Sequence, residues 1–284
     1  MKGILYFDID GTLVDSDNGA KMPSASVLKA ITEAQRNGYL CVISSGRSLA
    51  GLKPFRSIGM DGFIFSDGAG FLREGEETVL EPIDPDVLKR LIVQVIEEYH
   101  GEMLMSSMNN CYASPGQYSI MKQYIDHINA AIAAEGGDDF AVMEKIEDYP
   151  YSDPVLEIDV SFNDPGDEEE WLKHLDPALE FISTTASYGR DGGTAGEITA
   201  RGMTKGNRAL MVAEMYGIPR EQTYAFGDSM NDASMLRACG HGIAMGNGAD
   251  ELKEIAEYVT DRIECKGLEK AMIHYGIISG ELYE

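Results

Sequence analysis

The chain has 284 residues and a formal net charge of −25, with 44% hydrophobic residues. That length is comfortable for two domains, and the apolar content is that of an ordinary globular protein. No apolar run approaches the roughly 18 residues that a membrane span needs, and the acidity argues against nucleic acid or anionic membranes as partners.

The chain opens MKGILYFDIDG. Its apolar run meets acid at once and offers no longer signal-like core, so the expected compartment is the cytoplasm. The four cysteines, Cys41, Cys111, Cys239 and Cys265, form no CxxC pair and read as free thiols rather than a zinc site.

Ile4 to Phe7 reads as a strand. Pro23-Ser24 opens a helix with Leu28, Ile31 and Ala34 at helical spacing, stopped by Gly38. Leu40 to Ile43 and Phe63 to Phe65 follow as strands. The order β-α-β-α-β implies a parallel sheet with helices on both faces.

The middle of the chain has a different grammar. In VLEIDVSF (Val155–Phe162), Glu157, Asp159 and Ser161 alternate with Leu156, Ile158 and Val160, as in a strand with one apolar face. Helices at Asp86–Tyr99 and Tyr118–Ala134 are expected to cover that face. We therefore expect an α/β protein with a Rossmann-like parallel-sheet core, residues 1–80 and 193–284, and an inserted α+β domain over 81–192. Glu81–Pro85 and the Gly-rich YGRDGGTAG, from Tyr188, are its expected hinges.

The last third returns to the first pattern. Thr204 caps a helix reaching about Tyr216, Thr223 to Phe226 is a strand, and Ala233 to Ala238 is a short helix. Gly242 to Met245, Glu251 to Ala256 and Tyr258-Val259 complete it as strand, helix and strand.

Ligands of parallel α/β sheets bind at the carboxyl ends of the strands. Here those ends carry Asp8-Ile9-Asp10-Gly11-Thr12, Ser44-Ser45-Gly46-Arg47 and Gly227-Asp228-Ser229-Met230-Asn231-Asp232, while Thr204-Lys205-Gly206 opens a helix. Two aspartates two positions apart after a buried strand are costly unless a positive partner is present. Asp8, Asp10 and Asp228 together suit a hard divalent cation such as Mg²⁺, and Lys205 adds a second positive charge. Ser45 and the amides of Gly11 and Gly46 suit phosphate oxygens. A calcium-binding loop starting at Asp8 or Asp15 would need Glu eleven residues on, where Gly19 and Ser26 stand instead. Neither GxxxxGK[ST] nor a GxGxxG after a strand is present.

These segments resemble the haloacid dehalogenase superfamily, and within it the Cof-like phosphatases. FDIDGTL is similar to the first motif, ISSGR to the second, TKG to the third and GDSMNDASML to the fourth; AMGNGADELKEIAEYVT resembles the segment that follows. The resemblance implies Asp8 as nucleophile and Asp10 as general acid and base. It implies Mg²⁺ held by Asp8, Asp228 and the backbone carbonyl of Asp10. Ser45 and Lys205 would bind the phosphoryl group, Gly11, Gly46, Arg47 and Asn231 would contact substrate or phosphate, and Asp232 would steady Lys205 or a metal-bound water. The implied activity is hydrolysis of a small-molecule phosphate ester, such as a sugar phosphate, through a phosphoaspartate. The alternatives are a phosphomutase of the same superfamily and a non-catalytic phospho-ligand sensor. The stretch from Ser45 to Lys205 dwarfs that from Asp8 to Ser45, so the inserted domain lies between the second and third motifs, as a cap of the Cof-like type would. Two positions depart from the pattern: Asp67 stands where the family usually has Asn, and Lys266 where an acid is common.

Overall fold

The computed structural model describes residues 1–108, 110–134, 142–184 and 193–280. The chain divides into two compact units. The first comprises Met1–Gly46, Pro54–Val79 and Met203–Glu284, and the second Arg47–Lys53 and Leu80–Gly202.

The first unit is built on β1 (Gly3–Phe7), α1 (Ala25–Arg36), β2 (Tyr39–Ser44), β3 (Gly62–Phe65) and β4 (Gly70–Leu72), with β5 (Val79–Leu80) where the chain leaves it. The sequence GILYF has no charged side chain, and every residue of β1 is buried, as in a strand covered on both faces. Ser24 caps α1 by accepting the Val27 N–H, as its position before the apolar-periodic run predicts.

In the second unit α2 (Pro85–Ile92), β6 (Glu102–Ser106), β7 (Asn110–Ala113) and α3 (Pro115–Ala134) are followed by β8 (Val142–Lys145), β9 (Glu157–Phe162) and α4 (Pro165–Leu172). Two further strands, β10 (Leu179–Thr184) and β11 (Thr194–Ala200), end it. The chain then returns to the first unit with α5 (Lys205–Met215), β12 (Thr223–Gly227), α6 (Ala233–Ala238), β13 (His241–Ala244), α7 (Asp250–Ile255), β14 (Tyr258–Val259) and α8 (Gly267–His274).

The first sheet runs in the order β14-β13-β12-β1-β2-β3-β4-β5. Pairing is parallel from β14 through β3 and antiparallel between β3 and β4. Its central strand β1 lies between β2 and β12, so the chain winds outward in opposite directions from it. That reversal is where a doubly wound sheet leaves a crevice at its carboxyl edge. Ile4, Tyr6, Leu40 and Val42 pack with Ala209 and Val212 of α5 and with Met235 and Leu236 of α6. The buried Tyr6 hydroxyl donates to the Ala209 carbonyl, 2.6 Å away, which fixes α5 over β1.

The second sheet has the order β10-β11-β9-β6-β7-β8, antiparallel except for β7 with β8. Met103, Met105, Ile158, Val160 and Phe162 face Val87, Leu88 and Leu91 of α2 and Trp171 of α4. Leu104, Cys111 and Ala113 point the other way and meet Ile125 of α3. This corrects one expectation: α2 and α3 cover opposite faces of the sheet rather than one. Alternation along β9 is as read, but Ser161 on its polar face accepts the Gln117 amide of α3 at 3.3 Å. The helix beginning at α2 also changes character, since Val93–Glu98 continues in wider i→i+5 turns.

The expected division at residue 193 falls inside the second unit as the contacts divide it. β11 begins one residue later and pairs with both β9 and β10, so it belongs with that sheet. The expected hinge from Tyr188 lies outside the described residues up to 192. All four cysteines are free, and Cys41, Cys111 and Cys239 are buried. Among the described residues no helix is long and apolar enough to cross a membrane.

Candidate active site

β1, β2 and β12 are neighbours in register, with Phe7 opposite both Ile43 and Phe226. Their last residues therefore deliver the sequence-predicted segments to one edge. Phe7 and Phe226 stack with ring centroids 4.9 Å apart, and the Asp8 N–H donates to the Phe226 carbonyl at 3.0 Å. Asp8 is thereby held by backbone at the point where the strands end.

Lys205 is the centre of the site. Its Nζ lies 2.8 Å from Asp8 Oδ1 and 2.7 Å from Asp232 Oδ1, and its side chain is fully buried. The Thr204 cap, whose hydroxyl accepts the Asn207 N–H at 3.1 Å, starts α5 there. Gly206 has no side chain because a Cβ would come within 2.2 Å of the Ser234 carbonyl oxygen. α5 and α6 thus meet backbone to backbone, and Lys205 reaches the sheet edge.

Asp232 is completely buried and fully engaged. Beyond Lys205, its Oδ2 accepts the N–H groups of Asp228 at 3.0 Å and Ser229 at 3.2 Å. This acid shapes the turn after β12 and anchors the lysine.

Asp228 accepts the Thr12 hydroxyl at 3.1 Å. Gly11 faces the same carboxylate: a Cβ on it would sit 2.3 Å from Asp228 Oδ2, and its φ is +84°. Glycine is required there for both reasons. The Asp10 side chain is exposed, on a tight turn in which the Gly11 N–H donates to the Val14 carbonyl at 2.8 Å.

The second-motif residues sit one strand over. Ser45 is buried, and its N–H extends the ladder to the Ile64 carbonyl at 3.1 Å. Gly46 lies against Asp67, whose Oδ2 a Cβ would approach to 2.9 Å. Arg47 falls with the second unit. Asn231 is exposed, and its side-chain oxygen accepts the Ser229 hydroxyl at 2.5 Å.

Ligand oxygens of Asp8, Asp228 and Asp232 all lie within 4.8 Å of one another. The donors are hard carboxylate oxygens, the set that Mg²⁺ prefers. Burial, then the neighbouring Asp232, pushes the Asp8 carboxyl well above the ordinary range, although Lys205 opposes the shift. Burial, with Asp232 and Asp10 adding, raises Asp228 to about 6. Burial alone would lower Lys205, but Asp232, Asp8 and Asp67 outweigh it and hold the ammonium well above its usual value. One lysine thus leaves negative charge uncompensated, and a divalent cation beside Asp8 and Asp228 fits that deficit.

The sign of the pH effect follows. A carboxyl whose folded pKa is raised stabilises the fold most below its unfolded value of 3.8, and that contribution disappears as pH rises through the folded value. In chelator, the melting temperature should fall between about pH 4 and pH 8. Added Mg²⁺ should raise it strongly at the upper end and little at the lower. A flat profile in chelator, with equal Mg²⁺ shifts at both ends, would remove the charge-deficit argument.

Three supporting residues had no role in the sequence reading. Thr12 is one, although it was part of the quoted motif. Arg208 is buried on α5 and donates to the Gly68 carbonyl at 2.6 Å and the Ala69 carbonyl at 3.3 Å. It ties α5 to the loop where Ser66 and Asp67 both hold left-handed backbone, with φ of 46° and 45°. Asn247 donates to the Gly11 carbonyl at 2.8 Å and accepts the Ile263 N–H at 2.9 Å. Thr12 and Asn247 lie in segments that resemble the family, the first motif and the stretch after the fourth, whereas Arg208 had no sequence signal.

A family model of haloacid dehalogenase-like hydrolases matches residues 5–272. The Bacillus subtilis protein YkrA is 29% identical, over 97% of this chain and 98% of its own. Another B. subtilis protein, YcsE, named a 5-amino-6-(5-phospho-D-ribitylamino)uracil phosphatase, is 27% identical over 96% of this chain and 95% of its own. The solved structure of a subclass IIB sugar phosphatase, BT4131, is 27% identical and matches with a TM-score of 0.74 over 97% of this chain and 100% of its own.

Proposed function

Because the chain belongs to the haloacid dehalogenase-like hydrolases and is a phosphatase of that family, we propose that it hydrolyses small phosphate monoesters, sugar phosphates among them, through a phosphoaspartate on Asp8. The observation that carries this reading is Lys205, buried between Asp8 and Asp232 at the sheet edge that Asp228 shares. A carboxylate is a poor nucleophile towards a dianionic phosphate unless that charge is offset.

In this reading Asp8 attacks phosphorus. Lys205 neutralises the phosphoryl oxygens, and Asp232 holds the ammonium in place. Ser45 and the amides of Gly11 and Gly46 bind the remaining oxygens, with Arg47 and Asn231 contacting substrate or phosphate. Asp10 protonates the leaving oxygen and then takes a proton from the attacking water; its side chain is exposed to the solvent with which that proton exchanges. Asp8, Asp228 and the Asp10 backbone carbonyl would hold Mg²⁺. When bound, the ion supplies Lewis-acid stabilisation of phosphoryl charge. Asp232 is assigned no ligand role, because its oxygens are taken by Lys205 and two backbone N–H groups.

The second unit is proposed to act as the cap that selects substrate, supported by its insertion between the second and third motifs. The names of YcsE and BT4131 support phosphorylated, hydroxyl-rich substrates. Free cysteines at all four positions favour a reducing, cytoplasmic setting.

Phosphate release from a panel of sugar phosphates, with and without Mg²⁺, tests the activity; isomer formation without release would make the protein a mutase. Asp10→Asn tests the acid. It should lower kcat with a sugar phosphate by about 10²–10⁴-fold but much less with an aryl phosphate, whose leaving group needs little protonation. Equal losses on the two substrates would remove Asp10 from that role.

A further inference from the structure

A second recess lies in the first unit, between the segment after the first motif and the start of α8. It is a cleft of about 310 Å³. Its walls include Leu13, Met22, Val27 and Ile263, and Glu269 also lines it. Glu269 is only 3% exposed. Among the described residues it makes no hydrogen bond and no ion pair. A carboxylate so buried should have a partner.

The fold explains why this acid persists, but not what it faces. Glu269 is the third residue of α8, where the helix dipole favours a negative charge. Two of the nearby backbone donors are spent: the Gly267 N–H goes to the Arg262 carbonyl and the Lys270 N–H to the Lys266 carbonyl. The other charged residues lining the cleft are Asp15, Glu264 and Lys266. Asp15 accepts the Asn18 amide and Glu264 pairs with Arg262, so among the described residues Glu269 is the acid of the cleft with neither a hydrogen bond nor an ion pair. Lys266 is exposed, and solvent screens its repulsion of an incoming cation.

We propose that this cleft binds an alkylammonium ligand, with the ammonium on the Glu269 carboxylate and the carbon stem against Leu13, Met22, Val27 and Ile263. A neutral or anionic ligand would leave the buried carboxylate unpaired, and a bare metal ion would leave the apolar wall unused. The site is separate from the phosphatase chemistry, although Asn247 hydrogen-bonds both the Gly11 carbonyl and the Ile263 N–H.

The test uses the full chain and n-butylammonium chloride, with n-butanol and matched potassium chloride as comparisons. Methyl resonances of Leu13 and Val27 report occupancy. Butylammonium should shift them saturably, and butanol should bind at least about tenfold more weakly, since a hydrogen bond to a charged group contributes about 1.5 kcal/mol or more. Glu269→Gln should weaken butylammonium by a similar factor. Met22→Trp should block it by filling the cleft from a partly exposed position, which keeps the test decisive if Glu269→Gln folds poorly. The proposal fails if no saturable shift occurs, if butanol binds equally well, or if either folded variant binds butylammonium as the wild type does.

Discussion

Asp8→Asn should fold and bind phosphate esters, yet lose turnover by roughly 10⁴–10⁶-fold, the scale seen when a covalent nucleophile is removed. The amide keeps the size of the carboxylate, and β1, with its backbone bond to Phe226, is untouched. Uncatalysed hydrolysis of phosphate monoesters is so slow, with enzymatic enhancements reaching ~10²¹, that no other group at this edge can substitute. Thermal melting and steady-state phosphate release measure both halves. Turnover within tenfold of wild type would end the case for Asp8 as nucleophile.

Lys205→Met should fail in two ways at once. Its ammonium is the shared counter-charge of two buried acids. Removing one partner of a buried pair costs about 3–5 kcal/mol, because the charge left behind stays desolvated. Turnover should fall by at least ~10²–10³-fold through loss of electrostatic stabilisation. Adding Asp232→Asn removes one of the stranded charges, so the double variant should be less destabilised than the sum of the singles. Urea unfolding of the four proteins closes the cycle. Additive effects, or a single variant as stable as wild type, would mean that Lys205 does not balance these acids.

The residues that touch the reaction in this account were legible because they sit where parallel strands stop. DID after an all-apolar strand, and GDSMND after another, are local features that sequence displays directly. Their supports were not legible. Arg208 looks like any helical arginine until Gly68 and Ala69, far away in sequence, present their carbonyls to it. Thr12 acquires its role only once β12 brings Asp228 beside it. In the second unit, alternation along β9 gave the two faces but not which helix takes which. α3 packs on the face of Leu104, Cys111 and Ala113, which short strands with little pattern of their own supply. The boundary near residue 193 was misplaced for a related reason: a Gly-rich stretch looks like a linker, while β11 is defined only by its pairing with β9 and β10.

Chemical trapping of the intermediate tests the central claim most directly. The enzyme is mixed with Mg²⁺ and substrate, quenched in acid during turnover, and reduced with borohydride, which converts an aspartyl phosphate to homoserine. Peptide mass spectrometry should then find homoserine at position 8, dependent on substrate and absent from Asp8→Asn. Active enzyme that yields no modified residue, or yields it anywhere other than Asp8, would contradict the account.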